Sequence, residues 1–158
     1  LRPASFPTIR TAQFAQLMHQ SPRLFNRILE AQNEKDIQRL FAVKTSAYWK
    51  KHYRFDKASV EVEKTLGKST IRLLIINTIA PFLFLYGKLR ADQQFQDRAL
   101  RMLESLAAEQ NSIIRQWKAL GLCPKSAYQT QALLQLKRAY CDQQNCLNCA
   151  IGNAILSE

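Results

Sequence analysis

Three of the chain's four cysteines fall within nine positions, in "YCDQQNCLNCAIG" (residues 140–152), spaced Cys141-x4-Cys146-x2-Cys149. Thiolates bind soft or borderline metals, and this spacing fits a zinc site or an iron–sulfur cluster: C-x2-C on a turn aims two sulfurs at one metal, and a third can arrive from the end of the preceding helix. The same residues also fit a plain packing role, because free cysteine is often buried as a small hydrophobe. Cys123 starts at the far end of the helix that delivers Cys141. A helix of roughly fifteen residues spans about 22 Å, so Cys123 is badly placed as a fourth ligand, and His19 or His52 can serve only if the fold brings them there. The geometric expectation is that Cys141, Cys146 and Cys149 converge at a tight turn. "DQQN" is polar, turn-prone and too short to carry the chain away.

A second stretch, "AYWKKHYRF" (residues 47–55), interleaves rings and cations. Lys44, Lys50, Lys51, Arg54, Lys57, Lys64 and Lys68 recur through this part of the chain. Cationic side chains bind phosphates without sequence preference, by releasing counterions. Tyr48, Trp49 and Tyr53 offer faces on which unpaired bases can stack. Arg2 and Arg10 flank "PASFPTI" and can extend the same positive surface. The candidate nucleic-acid-binding set is therefore Arg2, Arg10, Lys50, Lys51, Arg54, Tyr48 and Trp49. The competing reading is that the rings anchor the segment to the core and the lysines are simply solvated.

Catalysis finds little support. No Gly-rich phosphate loop and no Ser/His/Asp arrangement is visible, and neither histidine sits near a cysteine that it could activate. Glu61 and Glu63 stand two apart, which on a helix does not converge. His19, at the end of a helix, reads as structural. No catalytic residue is assigned.

The elements that must position these residues read as helices. Only four glycines and five prolines occur in 158 residues, which argues against a loop-rich β fold. A helix is expected from Thr8, after an extended lead-in. Another should start with Ser21 as N-cap and Pro22 in its first turn, and a third with Asn33 as cap. Gly67 should close one element and Ser69 cap the next, with Pro81 kinking or splitting the apolar run 73–86. Gly121 fits a helix C′ position, and Ser126 with Gln129 reads as a capping box. The fold expectation is all-α: a single compact multi-helix domain over 1–158, with seven to nine short helices and no predicted strand. Its central buried element is expected at residues 70–86.

The net charge of +11 and sequence pI near 9.8 speak about partners rather than fold. Residues 1–55 carry ten Lys/Arg against three acids, and residues 56–158 thirteen against nine. DNA or RNA is the first candidate partner. The apolar run is shorter than the roughly twenty residues a membrane span needs, so no membrane partner is expected. No secretory pattern opens the chain, and a cytoplasmic location is expected. The opening "LRPASFPTIR" reads as part of a longer chain.

The blocks "RPASFPTIRTAQFAQL", "YWKKHYRF", "LGKSTIRLLIINTIAPFLFLYGK", "NSIIRQWKALG", "SAYQTQALLQLKRAYC" and "CLNCAIGNAIL", in this order, resemble the C-terminal half of a bacterial protein family catalogued as a domain of unknown function. Ser5 departs from the Asn of the family's "RPANFPT". The resemblance implies a longer protein whose N-terminal half, with acidic and Glu-x-His/Lys elements, is similar to restriction-like nucleases. It carries no catalytic residue onto this chain. It implies a helical accessory domain that binds nucleic acid or positions it for that half. The alternative is an interaction domain that packs on its own N-terminal half, with the cysteines as a structural metal site.

Overall fold

The computed structural model describes residues 6–156. The architecture is helical, with one small hairpin. Its elements are α1 (Pro7–Gln20), α2 (Leu24–Glu30), α3 (Glu34–Leu40), α4 (Ala47–Lys50), β1 (His52–Arg54), β2 (Lys57–Ala58), α5 (Lys68–Leu74), α6 (Ala80–Arg90), α7 (Gln93–Ser105), α8 (Ser112–Ala119), α9 (Ala127–Leu136) and α10 (Ala150–Leu156). Counting α5 and α6 as one continuous helix gives nine among the described residues. The fold is mostly α, as expected. The chain divides into two compact units, one ending at Ala99 and the other beginning at Leu100, inside α7.

In the first unit, α1 starts with Pro7 in its first turn, where a missing N–H costs nothing. The expected cap at Ser21 does not form. Ser21 instead closes α1, its N–H donating to the Leu17 carbonyl at 2.9 Å, while its hydroxyl accepts from Arg27 at 3.0 Å. α2 therefore begins later, at Leu24. Asn33 does cap α3, its side chain accepting from the Lys35 and Asp36 amides at 2.9 and 3.2 Å.

Pro81 neither ends nor splits the central helix. Residues Ile75–Ile79 form a π-helical turn, and the Ala80 amide bonds to the Ile75 carbonyl, five residues back. Such a bulge re-registers the ladder where a proline would otherwise remove a bond and clash with the preceding turn. The helix then runs unbroken from Lys68 to Arg90. Gly67, expected to close an element, is the N-cap of this helix, and Ser69 lies inside it. Ile71, Ile75, Ile76, Ile79 and Leu83 are buried along one face, with Ile9, Leu17, Ile37 and Val43 also in the core of this unit. By length and composition the 23-residue helix could cross a bilayer, a test that core helices also pass; 39% of its most apolar stretch is buried. Leu73, Phe84, Leu85 and Leu89 remain exposed on it.

In the second unit, α8 ends in a Schellman arrangement. Gly121 takes φ +86°, its amide bonds to the Lys118 carbonyl, and the Leu122 amide reaches the Trp117 carbonyl. Ser126 caps α9 by accepting from the Gln129 amide at 3.3 Å. The Gln129 side chain answers one residue further out, accepting from the Lys125 amide at 2.6 Å. Beyond Leu136 the helix widens into a π turn, Lys137–Cys141.

Candidate nucleic-acid interface

The stretch 47–55 folds as one helical turn followed by a strand. α4 supplies Tyr48 and Trp49. β1 and β2 pair antiparallel, His52 opposite Ala58 and Arg54 opposite Lys57. Asp56 makes the turn in the left-handed region, φ +61°, which Asp tolerates better than most residues.

The hairpin folds its rings onto one another. Tyr48 stacks flat on His52 with centroids 4.0 Å apart, and His52 Nδ1 lies 2.8 Å from the Tyr48 carbonyl. Trp49 meets Tyr48 and Phe55 edge-on, both at 5.2 Å. Phe55 is 66% exposed and Tyr48 42%. The rings are thus both packed and solvent-facing. Tyr53 points elsewhere, against Phe6 at 5.4 Å, and Thr8 donates to its carbonyl, which fastens β1 to the start of α1.

Lys64 anchors the hairpin from beneath. It is 7% exposed. Its Nζ donates to the carbonyls of Trp49 and Lys50 at 2.6 and 2.8 Å and sits 4.1 Å from the Tyr53 ring centroid. Those carbonyls lie at the C-terminal end of α4, where a cation is favoured. Burial pushes the ammonium pKa below the ordinary lysine value through lost hydration.

The expected cations are placed unequally. Lys50 and Lys44 both reach Glu63, at 3.6 and 3.4 Å, and Lys51 reaches Glu61 at 3.4 Å. Glu61 and Glu63 lie on an extended segment, not a helix. Residues two apart then point the same way, and the two acids form a rail beside the lysines. That pairing was missed because the two acids were weighed only at helical spacing, although Val60, Glu61, Val62 and Glu63 alternate with the period of a strand. Arg54 leans over the Phe6 ring at 5.8 Å, and neither it nor Lys57 enters an ion pair among the described residues. Phe6, Tyr53, Arg54, Lys57, Ala58 and Ser59 line a concavity of about 280 Å³. The structure therefore adds Phe55 and Lys57 to the candidate surface. Arg10 lines a different, apolar cavity, and Arg2 lies outside the described residues.

The cysteines are not assembled into a metal-binding group. Among the described residues no cluster of three or more His, Cys, Asp or Glu could hold an ion. Cys141 and Cys146 are exposed and Cys149 is buried. The expected shared helical face of Cys146 and Cys149 does not exist. Cys146–Asn148 is a single 3-10 turn, Cys149 is extended after it (φ −96°, ψ 126°), and α10 begins only at Ala150. Gln144, at φ +52°, also redirects the chain between Cys141 and Cys146. Cys123 is exposed.

Comparison with curated proteins and with solved structures found no match. A family match does exist, over residues 1–112, which include α1 to α7 and the whole aromatic hairpin. The chain belongs to the family described as "Protein of unknown function (DUF2851)".

Proposed function

We propose that this chain is a non-catalytic domain that holds unpaired nucleic acid, DNA or RNA, on the hairpin around Tyr48, Trp49 and Phe55. Two observations on the same hairpin support the reading: the mutually packed, partly exposed rings of Tyr48, Trp49 and Phe55, and Arg54 and Lys57, two cations in no ion pair among the described residues. Every base has a π face, so pre-ordered rings take stacked bases without reading sequence. Arg54 and Lys57 neutralise adjacent phosphates, and the +11 charge draws the polyanion in. Lys50 and Lys51 contribute by exchanging their surface ion pairs for phosphates, a small loss because exposed pairs are worth at most about 1 kcal/mol. In the longer protein that the family resemblance implies, the restriction-nuclease-like half performs the chemistry and this domain positions the strand. A second reading, packing on that N-terminal half, is favoured by the exposed Leu73, Phe84, Leu85 and Leu89.

Fluorescence anisotropy with a labelled single-stranded oligonucleotide tests the first reading. Phe55→Ala should weaken binding about tenfold, from the loss of one stacked base, and equally for unrelated sequences. Duplex binding tighter than single-strand binding, or full affinity in Phe55→Ala, would remove the stacking role.

A further inference from the structure

A second concavity of the first unit, about 610 Å³ in volume, shares no lining residue with the one beside Arg54. Three stretches bring cations to it: Lys35 and Arg39 from α3, Lys44 from the segment that follows, and Lys68 from the first turn of α5. Lys35 and Arg39 stand four residues apart on a helix, so they share a face. Lys44 is tied across the chain, pairing with Thr65 as an isolated antiparallel bridge. No Asp or Glu lines this cavity. That is not the rule on this surface, since the polar cavity at Arg27 and Arg39 is also lined by Glu30 and Asp36. Lys35 and Lys68 enter no ion pair among the described residues. Asp36 and Glu63, the partners of Arg39 and Lys44, lie outside the lining. Four like charges with no carboxylate among them repel one another, and an entering anion relieves that repulsion. Lysine ammonium groups swing on flexible stems, so three of the four can close on an anion from different elements.

This cavity adjoins the hairpin surface. Lys44 and Lys50 meet the same oxygen, Glu63 Oε1, at 3.4 and 3.6 Å, so the cations of the two sites meet over one carboxylate. We infer that the cavity holds the terminal phosphomonoester of the strand whose bases stack on the hairpin. The inference rests on the nucleic-acid reading of that hairpin and adds which strands it takes: those with a phosphorylated end. A terminal phosphate carries about −1.5 to −2 charges at neutral pH and three strong acceptor oxygens, whereas each phosphate within a strand carries one charge. A concave cation set suits the group with the denser charge. It also suits a chain end, because a strand passing through must both enter and leave. Leu66 and the buried Ile71 give the same cavity hydrocarbon surface, against which the terminal nucleoside can rest.

The test is fluorescence anisotropy of the full chain with one single-stranded sequence, labelled on an interior base, at one fixed salt concentration. Three forms are compared: a 5′-phosphate, a 3′-phosphate, and hydroxyls at both ends. One phosphorylated end should bind about tenfold tighter than the hydroxyl form. Lys35→Gln with Lys68→Gln, both exposed residues, should abolish that advantage while the hydroxyl form still binds. Phe55→Ala should weaken all three forms and keep the ratio between them. A free nucleoside monophosphate, lacking the stacked bases, should compete only at about a hundredfold higher concentration than the phosphorylated strand. Equal gain from either end, which the general positive field would produce, would overturn the inference, as would an advantage that survives in the double variant. Competition by the monophosphate at equal concentration would also overturn it, making the cavity a free-nucleotide site. In each of those cases the hydroxyl form still binds and the hairpin reading stands, whereas no binding of any form would remove both.

Discussion

Lys64 shows how one side chain can hold a surface in place. Its ammonium closes the carbonyl end of α4 through Trp49 and Lys50 and covers the Tyr53 ring. Lys64→Met keeps most of the stem but leaves two carbonyls without that donor, so it should cost about 1–3 kcal/mol in a urea melt. The pH dependence has a definite sign. The folded pKa lies below the unfolded value of 10.5, so between them the unfolded chain binds more protons and stability rises with pH. The cost of burying the charge is present below the folded pKa and relieved as pH climbs towards 10.5. Wild type should gain on Lys64→Met across that alkaline window; a relative loss would contradict the burial account. The cysteines give a second measurement at this scale. Under native conditions a thiol reagent should modify Cys123, Cys141 and Cys146 quickly and the buried Cys149 slowly, whereas four equal rates would mean that the 146–149 turn is open.

At the scale of elements, the end of α6 is held by a close approach. A Cβ on Gly87 would stand 2.7 Å from the Asp92 carbonyl and 2.9 Å from Phe95 Cβ. The first of these is backbone and cannot swing aside, so Gly87→Ala should destabilise by about 1–3 kcal/mol in thermal or urea unfolding. Ala91, four residues on, occupies the left-handed seat at φ +53°, and Ala91→Gly should stabilise by about 1 kcal/mol. The acidic rail makes a third test: Glu61→Gln with Glu63→Gln frees three lysines and should tighten oligonucleotide binding, while unchanged affinity would place those lysines away from the strand. Much of this level was legible in the sequence. Asn33, Gly121 and Ser126 act locally, on backbone within four residues, and each does what its type predicts. Ser21 misled because Arg27 took its hydroxyl, Gly67 stands at the start of a helix rather than at the end of an element, and a π turn accommodates Pro81 without splitting the helix. The ring-and-cation hairpin could be found from composition, but not which cations were paired. That depended on Glu61 and Glu63 being extended, which the alternation of Val60, Glu61, Val62 and Glu63 announces, and on which lysines then face them, which only the fold decides. The cysteine spacing was legible and the local backbone was not: an extended Cys149 interrupts the helical face assumed for Cys146 and Cys149.

For the molecule as a whole, +11 over 158 residues is a long-range field that acts before any contact forms, and it makes binding depend on salt. Stacking on Tyr48, Trp49 and Phe55 has little such dependence, so the two contributions can be separated. The most direct measurement is the affinity for single-stranded oligonucleotide from about 50 to 200 mM salt, for wild type and for Arg54→Gln with Lys57→Gln. The account predicts steeply weakening binding in wild type and, in the double variant, a log–log slope shallower by about 1.4, from two lost phosphate contacts at about 0.7 each. No binding at the lowest salt, or the same slope in both proteins, would contradict it.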